Sequence, residues 1–216
     1  MEPTRKLKNT RNAYFGDVRK PVSLVTNSDG NTPLSPEELA GLIPSLATKE
    51  ELNEWERDNI LLAREWATGT RTTLPELVSD NYVRKLHLRM FDQTWKWAGQ
   101  YRTCEKNLGV PWQQIPERLG VLCGDVLFWS ERRTYPPDEI AVRFHHRLVV
   151  IHPFPNGNGR HARLMADLLM LSLGDIPLTW GSRDLVSRGE LRIKYLDALR
   201  KADSGNIQPL VEFARS

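Results

Sequence analysis

Apolar side chains recur along much of this chain at intervals of three and four residues, which is the spacing of an amphipathic helix. The clearest stripe lies in residues 49–67, and its members are Leu52, Trp55, Asn59, Leu62 and Trp66. We expect these side chains to face the core. The same spacing predicts further helices over residues 79–92, 116–130, 136–151, 160–173, 188–202 and 207–214.

Helix-start signals agree with this pattern. Ser35, followed by Pro36 and by Glu38, has the N-cap serine, first-turn proline and glutamate of a capping box. Thr48 and Glu51 repeat that spacing at the start of the long stripe. The expected fold class is therefore mostly α.

Residues 99–116 break the helical period. The turn residues Asn107 and Gly109 lie near the middle of the segment, so a short β-hairpin is predicted there. Residues 1–30 mix charged and polar side chains with few apolar anchors, and we expect an N-terminal arm that is partly ordered at best. Residues 31–216 are expected to form one domain.

Composition narrows the classes of function. The chain has 216 residues, 40% of them hydrophobic, which is enough for a sizeable core. The net charge is +3, from 30 basic and 27 acidic residues, and it gives no argument for binding nucleic acid. No stretch approaches the ~18 uninterrupted apolar residues of a membrane span. Two cysteines, Cys104 and Cys123, do not make a disulfide framework, so a cytoplasmic location is expected.

The densest chemistry lies in residues 152–160, His-Pro-Phe-Pro-Asn-Gly-Asn-Gly-Arg. Glycines let backbone N–H groups approach an anion, and arginine can bind phosphate oxygens bidentately. Arg160 and Arg163 share a helical face. The stretch predicts a phosphate-binding loop, with His152 as a general base and Phe154 as a buried anchor. The alternative is a glycine-rich turn between helices whose arginines face solvent.

This stretch resembles the motif of the Fic family, His-x-Phe-x-(Asp/Glu)-Gly-Asn-Gly-Arg-x-x-Arg. The matching positions are His152, Phe154, Gly157, Asn158, Gly159, Arg160 and Arg163. The resemblance implies a Fic-type helical bundle that transfers a nucleotide-derived group, most often AMP from ATP, to Ser, Thr or Tyr hydroxyls of a protein. It further implies that His152 is the general base. By the same resemblance Gly157, Asn158 and Gly159 form the anion hole, and the two arginines contact the phosphates.

The resemblance extends to the predicted hairpin after Gly99-Gln-Tyr-Arg102. It implies a flap that docks the target protein by strand addition. The flap residues are Arg102, Thr103, Cys104, Glu105, Lys106, Asn107 and Leu108. Roughly residues 30–216 resemble the Fic subfamily called mobile mystery protein B, through Gly41-Leu-Ile-Pro44, Glu51-Leu-Asn-Glu54, Asn59-Ile60 and Trp97-Ala-Gly-Gln-Tyr-Arg102. That likeness implies a regulatory or antitoxin partner beside the protein substrate.

One position departs from the family motif. Asn156 stands where Fic proteins have an acidic residue that binds Mg²⁺. An amide oxygen can ligate Mg²⁺ but brings no charge, so Mg²⁺ or Mn²⁺ is expected to be held mainly by ATP, with Asn156 as its candidate protein ligand. Two alternatives follow: a nucleotide-binding module with weak or lost catalysis, or transfer of a different group such as UMP, phosphate or phosphocholine.

Inhibition is a further implication of the resemblance. Many Fic proteins carry an inhibitory helix, Ser/Thr-x-x-x-Glu-Gly/Asn, whose glutamate pairs with the second arginine of the motif. This chain has no strict match. Glu51 is the nearest approximation, although the capping box already explains it, and Glu54 and Glu56 on the same helix are alternatives.

Two other sets of side chains invite interpretation. The histidines are close in sequence at His145, His146, His152 and His161, but no His-Glu-x-x-His pattern or cysteine pair accompanies them, so a zinc site is the weaker interpretation. Tyr195 is a candidate nucleoside contact by similarity to helices of Fic proteins.

Overall fold

The computed structural model describes residues 34–182 and 189–216. Within them the chain forms α1 (Pro36–Leu39), α2 (Lys49–Gly69), α3 (Leu74–Leu77), α4 (Asp80–Phe91), α5 (Ile115–Arg132), α6 (Pro137–Ile151), α7 (Asn158–Ser172), α8 (Glu190–Asp203) and α9 (Gln208–Arg215). The mostly α fold is confirmed, and the predicted helices begin and end within two residues of the expected bounds. The expected arm, residues 1–30, lies outside the described residues.

Local capping explains where the first helices begin. The Ser35 hydroxyl accepts from the Glu38 N–H at 3.2 Å, and the Glu38 carboxylate accepts from the Ser35 N–H at 2.7 Å. Thr48 and Glu51 make the same reciprocal pair at 3.1 and 3.3 Å. Each pair satisfies two backbone donors that a helix leaves unbonded. Both predicted capping boxes are confirmed.

The face that α2 presents to the core differs from the predicted stripe. Leu52 and Asn59 are buried as expected, but Trp55 is 43% exposed and Leu62 is 63% exposed. The buried positions are Leu52, Glu56, Asn59, Ala63 and Ala67. The centre of the buried face is therefore turned by roughly 60° from the predicted one, which is less than the ~100° between successive residues and leaves Leu52 and Asn59 in both faces. The reason is tertiary, because the Glu56 carboxylate has buried partners and small alanines let the helix pack closely.

The core lies where α4, α5, α6 and α7 pack together. Its fully buried side chains include Leu86, Met90, Phe91, Leu122, Phe144, Leu148 and Met165. Burying each such side chain stabilises the fold by roughly 1.5–3 kcal/mol. This packing fixes the C-terminal end of α6 against the N-terminal end of α7. In the part of the chain that the structure describes, no helix is both long enough and apolar enough to cross a bilayer.

The predicted hairpin is not formed. Residues 101–111 make an irregular loop, and the β pairing among the described residues is one isolated bridge between Leu42 and Trp95. The reason lies in the Arg102 side chain, which turns inward and donates to the carbonyls of Cys104 and Val110. Because these carbonyls accept hydrogen bonds from a guanidinium, they do not pair with backbone N–H groups of a facing strand.

Candidate active site

The loop of residues 152–157 joins α6 to α7 and carries the candidate chemistry. His152 is the C-cap of α6, with a left-handed backbone at φ 53° and ψ 60°. Its N–H donates to the Leu148 carbonyl at 3.0 Å. Pro153 cannot continue the helix, because it lacks a backbone N–H and disfavours helical geometry in the residue before it. The chain therefore leaves the helix abruptly at the histidine.

His152 is 6% exposed, and the surroundings of its imidazole favour the neutral form. Burial lowers its pKa from 6.5 to about 4, a hydrogen bond with the Val149 carbonyl opposes this, and the charges of Arg102 and Lys106 lower the pKa further. At neutral pH the ring can therefore accept a proton. A neutral imidazole is the form that a general base requires.

The N-terminal end of α7 presents backbone donors. Gly157 is the N-cap, with φ 78°, and the first bond of the helix runs from the His161 N–H to the Gly157 carbonyl at 2.9 Å. The N–H groups of Asn158, Gly159 and Arg160 precede that bond, so the helix itself does not use them. Together with the helix dipole they favour an anion at this position.

Gly157 has no room for a side chain. A Cβ at this position would lie 2.5 Å from the Phe91 ring, and its left-handed backbone already favours glycine. The close approach of the loop to α4 therefore depends on this residue.

The Asn158 side chain does not belong to the anion hole. Its Oδ1 accepts from the Phe154 N–H at 2.9 Å, and its Nδ2 donates to the Phe154 carbonyl at 2.7 Å. Both ends of the amide therefore close the loop. The backbone N–H of Asn158 remains a candidate anion donor.

Phe154 and His87 form a stack beneath the loop. Phe154 is fully buried, and its ring centroid lies 3.7 Å from that of His87. The His87 Nδ1 accepts from the Gly99 N–H at 2.9 Å, so its Nε2 carries the proton and donates to the Asn156 carbonyl at 3.1 Å. Sequence reasoning missed His87. Its position on the buried stripe of α4, beside Leu86 and Met90, was the available signal.

The two motif arginines have different partners. Arg160 Nη1 lies 2.7 Å from Glu56 Oε2, and the other oxygen of this carboxylate accepts from Trp95 Nε1 at 2.7 Å. Arg163 stacks over the Tyr195 ring, 5.5 Å from its centroid. The arginines thus do not face solvent as the alternative interpretation required. Each is held against a buried side chain.

Asn156 turns its amide oxygen toward its own backbone. Oδ1 accepts from the Gly157 N–H at 2.5 Å. Among the described residues, no group of three or more His, Cys, Asp or Glu side chains could hold a metal ion. The donors present therefore do not fit a protein-held Mg²⁺ site.

Part of the chain matches a known protein family. Residues 77–170 match the model of the Fic/DOC family. They form a Fic domain. Curated relatives include the protein adenylyltransferase fic-1 of Caenorhabditis elegans, 32% identical over 119 residues, and the protein adenylyltransferase Fic of Culex quinquefasciatus, 38% identical over 119 residues. Each alignment covers 54% of this chain but 22% of the relative, so the chain spans about a fifth of the length of these proteins.

Solved structures share the fold. The Fic-1 structure from Caenorhabditis elegans has a TM-score of 0.59 and 25% identity, covering 82% of this chain and 51% of that one. The BepC effector of Bartonella tribocorum, solved with bound AMPPNP, has a TM-score of 0.61 over 84% of this chain and 97% of its own. At 18% identity, this second likeness concerns the fold alone.

The expected flap of this Fic domain is only partly available for docking. Arg102 is 2% exposed and lies beneath the loop, which excludes it from any docking surface. The Lys106 ammonium is bound to the Glu38 carboxylate of α1, and Cys104 is half-buried. The exposed members are Thr103, Glu105, Asn107 and Leu108.

The expected inhibitory role of Glu51 does not fit the structure. Its side chain is exposed, and its carboxylate accepts from the Ala47 and Thr48 N–H groups at 2.7 and 3.3 Å. The carboxylate of α2 that reaches the Fic motif is Glu56, and it meets the first arginine rather than the second. About one and a half turns of helix separate Glu51, which caps α2, from Glu56, which contacts the site.

Tyr195 and the remaining histidines are accounted for within the fold. Tyr195 is buried, and its hydroxyl lies 3.1 Å from His145 Nε2. His161 bonds to the Val83 carbonyl at 2.9 Å, and His146 pairs with Asp203 at 2.8 Å. The four histidines of residues 145–161 therefore point to different partners and do not converge on a zinc site.

Proposed function

We propose that this protein is a protein adenylyltransferase that transfers AMP from ATP, bound as its Mg²⁺ or Mn²⁺ complex, to a Ser, Thr or Tyr hydroxyl of a protein. The observation that carries the proposal is the juxtaposition of a buried, neutral His152 with the anion-attracting end of α7. The names of the curated relatives, protein adenylyltransferases, agree with it.

The proposed step is an in-line displacement at the α-phosphorus of ATP. The His152 imidazole takes the proton of the target hydroxyl, and the oxygen forms a bond to the α-phosphorus. The bond between that phosphorus and the oxygen bridging to the β-phosphate breaks, and pyrophosphate leaves. The proton on the imidazole then returns to solvent. Catalysis by this route comes mainly from positioning and charge stabilisation.

The phosphates would lie against the start of α7. The N–H groups of Asn158, Gly159 and Arg160 would bind phosphate oxygens, and Arg163 would bind them from the next turn. The Glu56 carboxylate uses one nitrogen of Arg160, which keeps other N–H donors of that guanidinium for phosphate. Because Asn156 offers no charge, the divalent ion is proposed to arrive with ATP as part of the substrate.

The target protein would dock on the exposed part of the loop, through Thr103, Glu105, Asn107 and Leu108. The likeness to mobile mystery protein B supports the proposal of a bacterial protein with a regulatory or antitoxin partner encoded beside it. We propose a cytoplasmic location because the two cysteines, Cys104 and Cys123, make no disulfide framework.

Intact-mass spectrometry tests the proposal directly. The protein is incubated with each nucleoside triphosphate and Mg²⁺ or Mn²⁺, alone and with cell lysate, and the expected product is AMP added to this chain or to a lysate protein. His152→Ala should abolish the product, whereas His146→Ala, which changes a histidine paired with Asp203 at the surface, should leave it unchanged. Absence of any adduct from ATP, while the protein is folded and binds ATP, would refute the proposal.

A second candidate function rests on Asn156. Loss of the acidic residue favours a nucleotide-binding module with weak catalysis, or transfer of a different phosphate-linked group such as UMP or phosphocholine. Asn156→Asp separates these cases. A large rise in AMP transfer from near zero indicates a degenerate module, whereas unchanged transfer means that asparagine suffices, and the mass of any adduct identifies the transferred group.

A further inference from the structure

Arg102 is the most completely buried charge near the active site. Its side chain is 0% exposed, yet it lies in a loop between α4 and α5 rather than within a helix. Its Nε donates to the His152 carbonyl at 2.7 Å, and its Nη2 lies 3.5 Å from the Ile151 carbonyl. The Arg102 N–H donates to the Pro153 carbonyl at 3.0 Å. Three consecutive carbonyls around the base are therefore bonded to one residue.

These carbonyls belong to the C-terminal end of α6, where a helix leaves its last carbonyls without internal partners. The same end carries the negative pole of the helix dipole, which a cation stabilises. Arg102 meets both requirements at once. The guanidinium thus acts as the C-terminal cap of the helix that presents His152.

The opposite side of the guanidinium is enclosed by the loop itself. Nη1 donates to the Cys104 carbonyl at 2.9 Å, and Nη2 donates to the Val110 carbonyl. Gly109 closes this enclosure, because a Cβ there would lie 2.6 Å from Arg102 Nη2 and 2.7 Å from His152 Cβ. Its φ of +105° also suits glycine alone. The loop is therefore shaped around both the arginine and the histidine.

Carbonyl dipoles compensate this charge more than a carboxylate does. The Glu105 carboxylate lies 3.9 Å from Nη1, but its side chain is 63% exposed and screened by water. A buried arginine with so many carbonyl partners is costly to replace, because each partner would lose its donor. Such an arrangement specifies one position of the backbone.

We propose that Arg102 is a positioning residue for the transfer reaction: its guanidinium locks the left-handed backbone of His152 and so fixes the imidazole at the mouth of the phosphate-binding loop. The expected effect of Arg102 on the transfer rate rests on the proposed function, whereas its effect on the backbone and pKa of His152 does not. His152 holds a sparsely populated conformation that costs roughly 1–2 kcal/mol for a residue other than glycine. The bonds from Arg102 offset that cost.

The charge of Arg102 has a second consequence for the base. The groups that influence the His152 pKa are the cations of Arg102 and Lys106, which lower it, and the Val149 carbonyl, which raises it, beside burial itself. Lys106 is in turn bound to Glu38 of α1. Removing the Arg102 cation should therefore raise the His152 pKa, whereas replacing it with another cation should not.

The test compares Arg102→Gln and Arg102→Lys with the same two changes at Arg132, an exposed residue in the last turn of α5. NMR titration of the His152 imidazole between pH 5 and 8, assigned with His152→Ala, needs no activity. We expect wild type and Arg102→Lys to remain neutral over this range and Arg102→Gln to begin protonating at its acid end. Identical titration of wild type and a folded Arg102→Gln variant would overturn the electrostatic part of the proposal.

Kinetics test the positioning part. Both Arg102 variants should lower kcat for AMP transfer by about 10- to 100-fold, the scale expected when a reacting group is displaced by about 1 Å. KM for ATP should change less than threefold, because the phosphate donors of α7 remain, and the acid limb of the pH profile should move to higher pH in Arg102→Gln only. Wild-type kcat in Arg102→Lys would refute the lock.

Urea unfolding and the NMR titration keep the outcomes distinct. If Arg102→Gln does not fold, as urea unfolding would reveal, Arg102→Lys carries the kinetic test, with Arg132→Lys as its matched control. If wild type transfers no nucleotide, the proposed function fails, while the NMR titration still decides whether Arg102 controls His152.

Discussion

Acidification should destabilise this protein because four histidines in the described part of the chain lie in its interior. Burial is the main cause that lowers the pKa of each one. For His152 and His161 the folded value is about 4 against 6.5 for the ordinary side chain. For His87 and His145 it lies well below 6.5. Between these pKa values the unfolded chain therefore binds more protons than the folded chain.

The sign follows from this difference in proton uptake. A depressed folded pKa contributes stability that is present above pH 6.5 and is lost as the pH falls toward the folded value. For His152 and His161, whose folded pKa is about 4, the loss is roughly 3 kcal/mol each, since one pKa unit is worth about 1.4 kcal/mol. His87 and His145 add to the loss.

Asp167 opposes this trend. Burial raises its pKa from 3.8 to about 6, although the Trp180 N–H and Arg64 lower it. The folded chain therefore binds a proton that the unfolded chain releases between these values, and stability recovers by roughly 3 kcal/mol as the pH falls through 6. The balance still favours a net loss, because four histidines act against one carboxyl. That loss is a large fraction of the ~5–15 kcal/mol that stabilises a typical domain.

Urea unfolding followed by tryptophan fluorescence, repeated at several values from pH 7.5 to 4.5, measures the effect. His161→Gln keeps a donor for the Val83 carbonyl but cannot titrate, so its free energy of unfolding should fall less steeply with acidification, by about 1.4 kcal/mol per pH unit near pH 5. Leu62→Gln, at an exposed position of α2, is the control and should retain nearly the wild-type slope. A free energy of unfolding that stays constant from pH 7 to 5 would refute the reasoning.

Three substitutions test other parts of the fold and the site by urea unfolding. Gly157→Ala should lower the free energy of unfolding by about 2–4 kcal/mol and weaken ATP binding, because it combines backbone strain with a clash against Phe91. The control Gly120→Ala should not destabilise the protein, and equal effects of the two substitutions would contradict the assigned geometry. Glu56→Gln should lower the free energy of unfolding by about 2–3 kcal/mol, and a double-mutant cycle with Arg160→Gln should show coupling between the two residues. If the losses of the two single variants simply add in the double variant, the ion pair does not contribute to stability. Leu62→Gln changes an exposed residue and should alter the free energy of unfolding by less than ~0.5 kcal/mol, whereas Ala63→Leu overpacks a buried position and should lower it by about 1–3 kcal/mol. A larger loss in Leu62→Gln than in Ala63→Leu would mean that α2 buries the face predicted from the sequence.

Helix positions were accessible from the sequence because their signals are local. The capping hydrogen bonds of Ser35 and Thr48 join residues three positions apart, so a stretch of four residues in the sequence includes both the donor and the acceptor. Pro153 likewise acts on the residue directly before it, and α6 ends where this rule places its end. The loop motif was accessible for the same reason, since its base, glycines and arginines are contiguous along the chain.

The orientation of α2 was not accessible in this way. Periodicity indicates that a helix has a buried face, but two adjacent stripes on α2 satisfy the same spacing. Apolarity favoured the stripe with Trp55 and Leu62, whereas the folded protein buries the stripe with Glu56. A buried carboxylate is tolerated only with buried donors, and its donors, Trp95 and Arg160, lie 39 and 104 residues away along the chain.

The chain's local chemistry thus determined the order and ends of the helices, the breaks between them and the residues of the phosphate-binding loop. Only the tertiary structure decided that Arg102 lies under the loop instead of on a hairpin, 50 residues from the histidine it binds, and that His87 supports Asn156 across 69 residues. The physical reason is the range of the interactions. Helix propensity and capping act within about four residues, whereas the satisfaction of buried polar groups depends on partners that only the folded chain brings together.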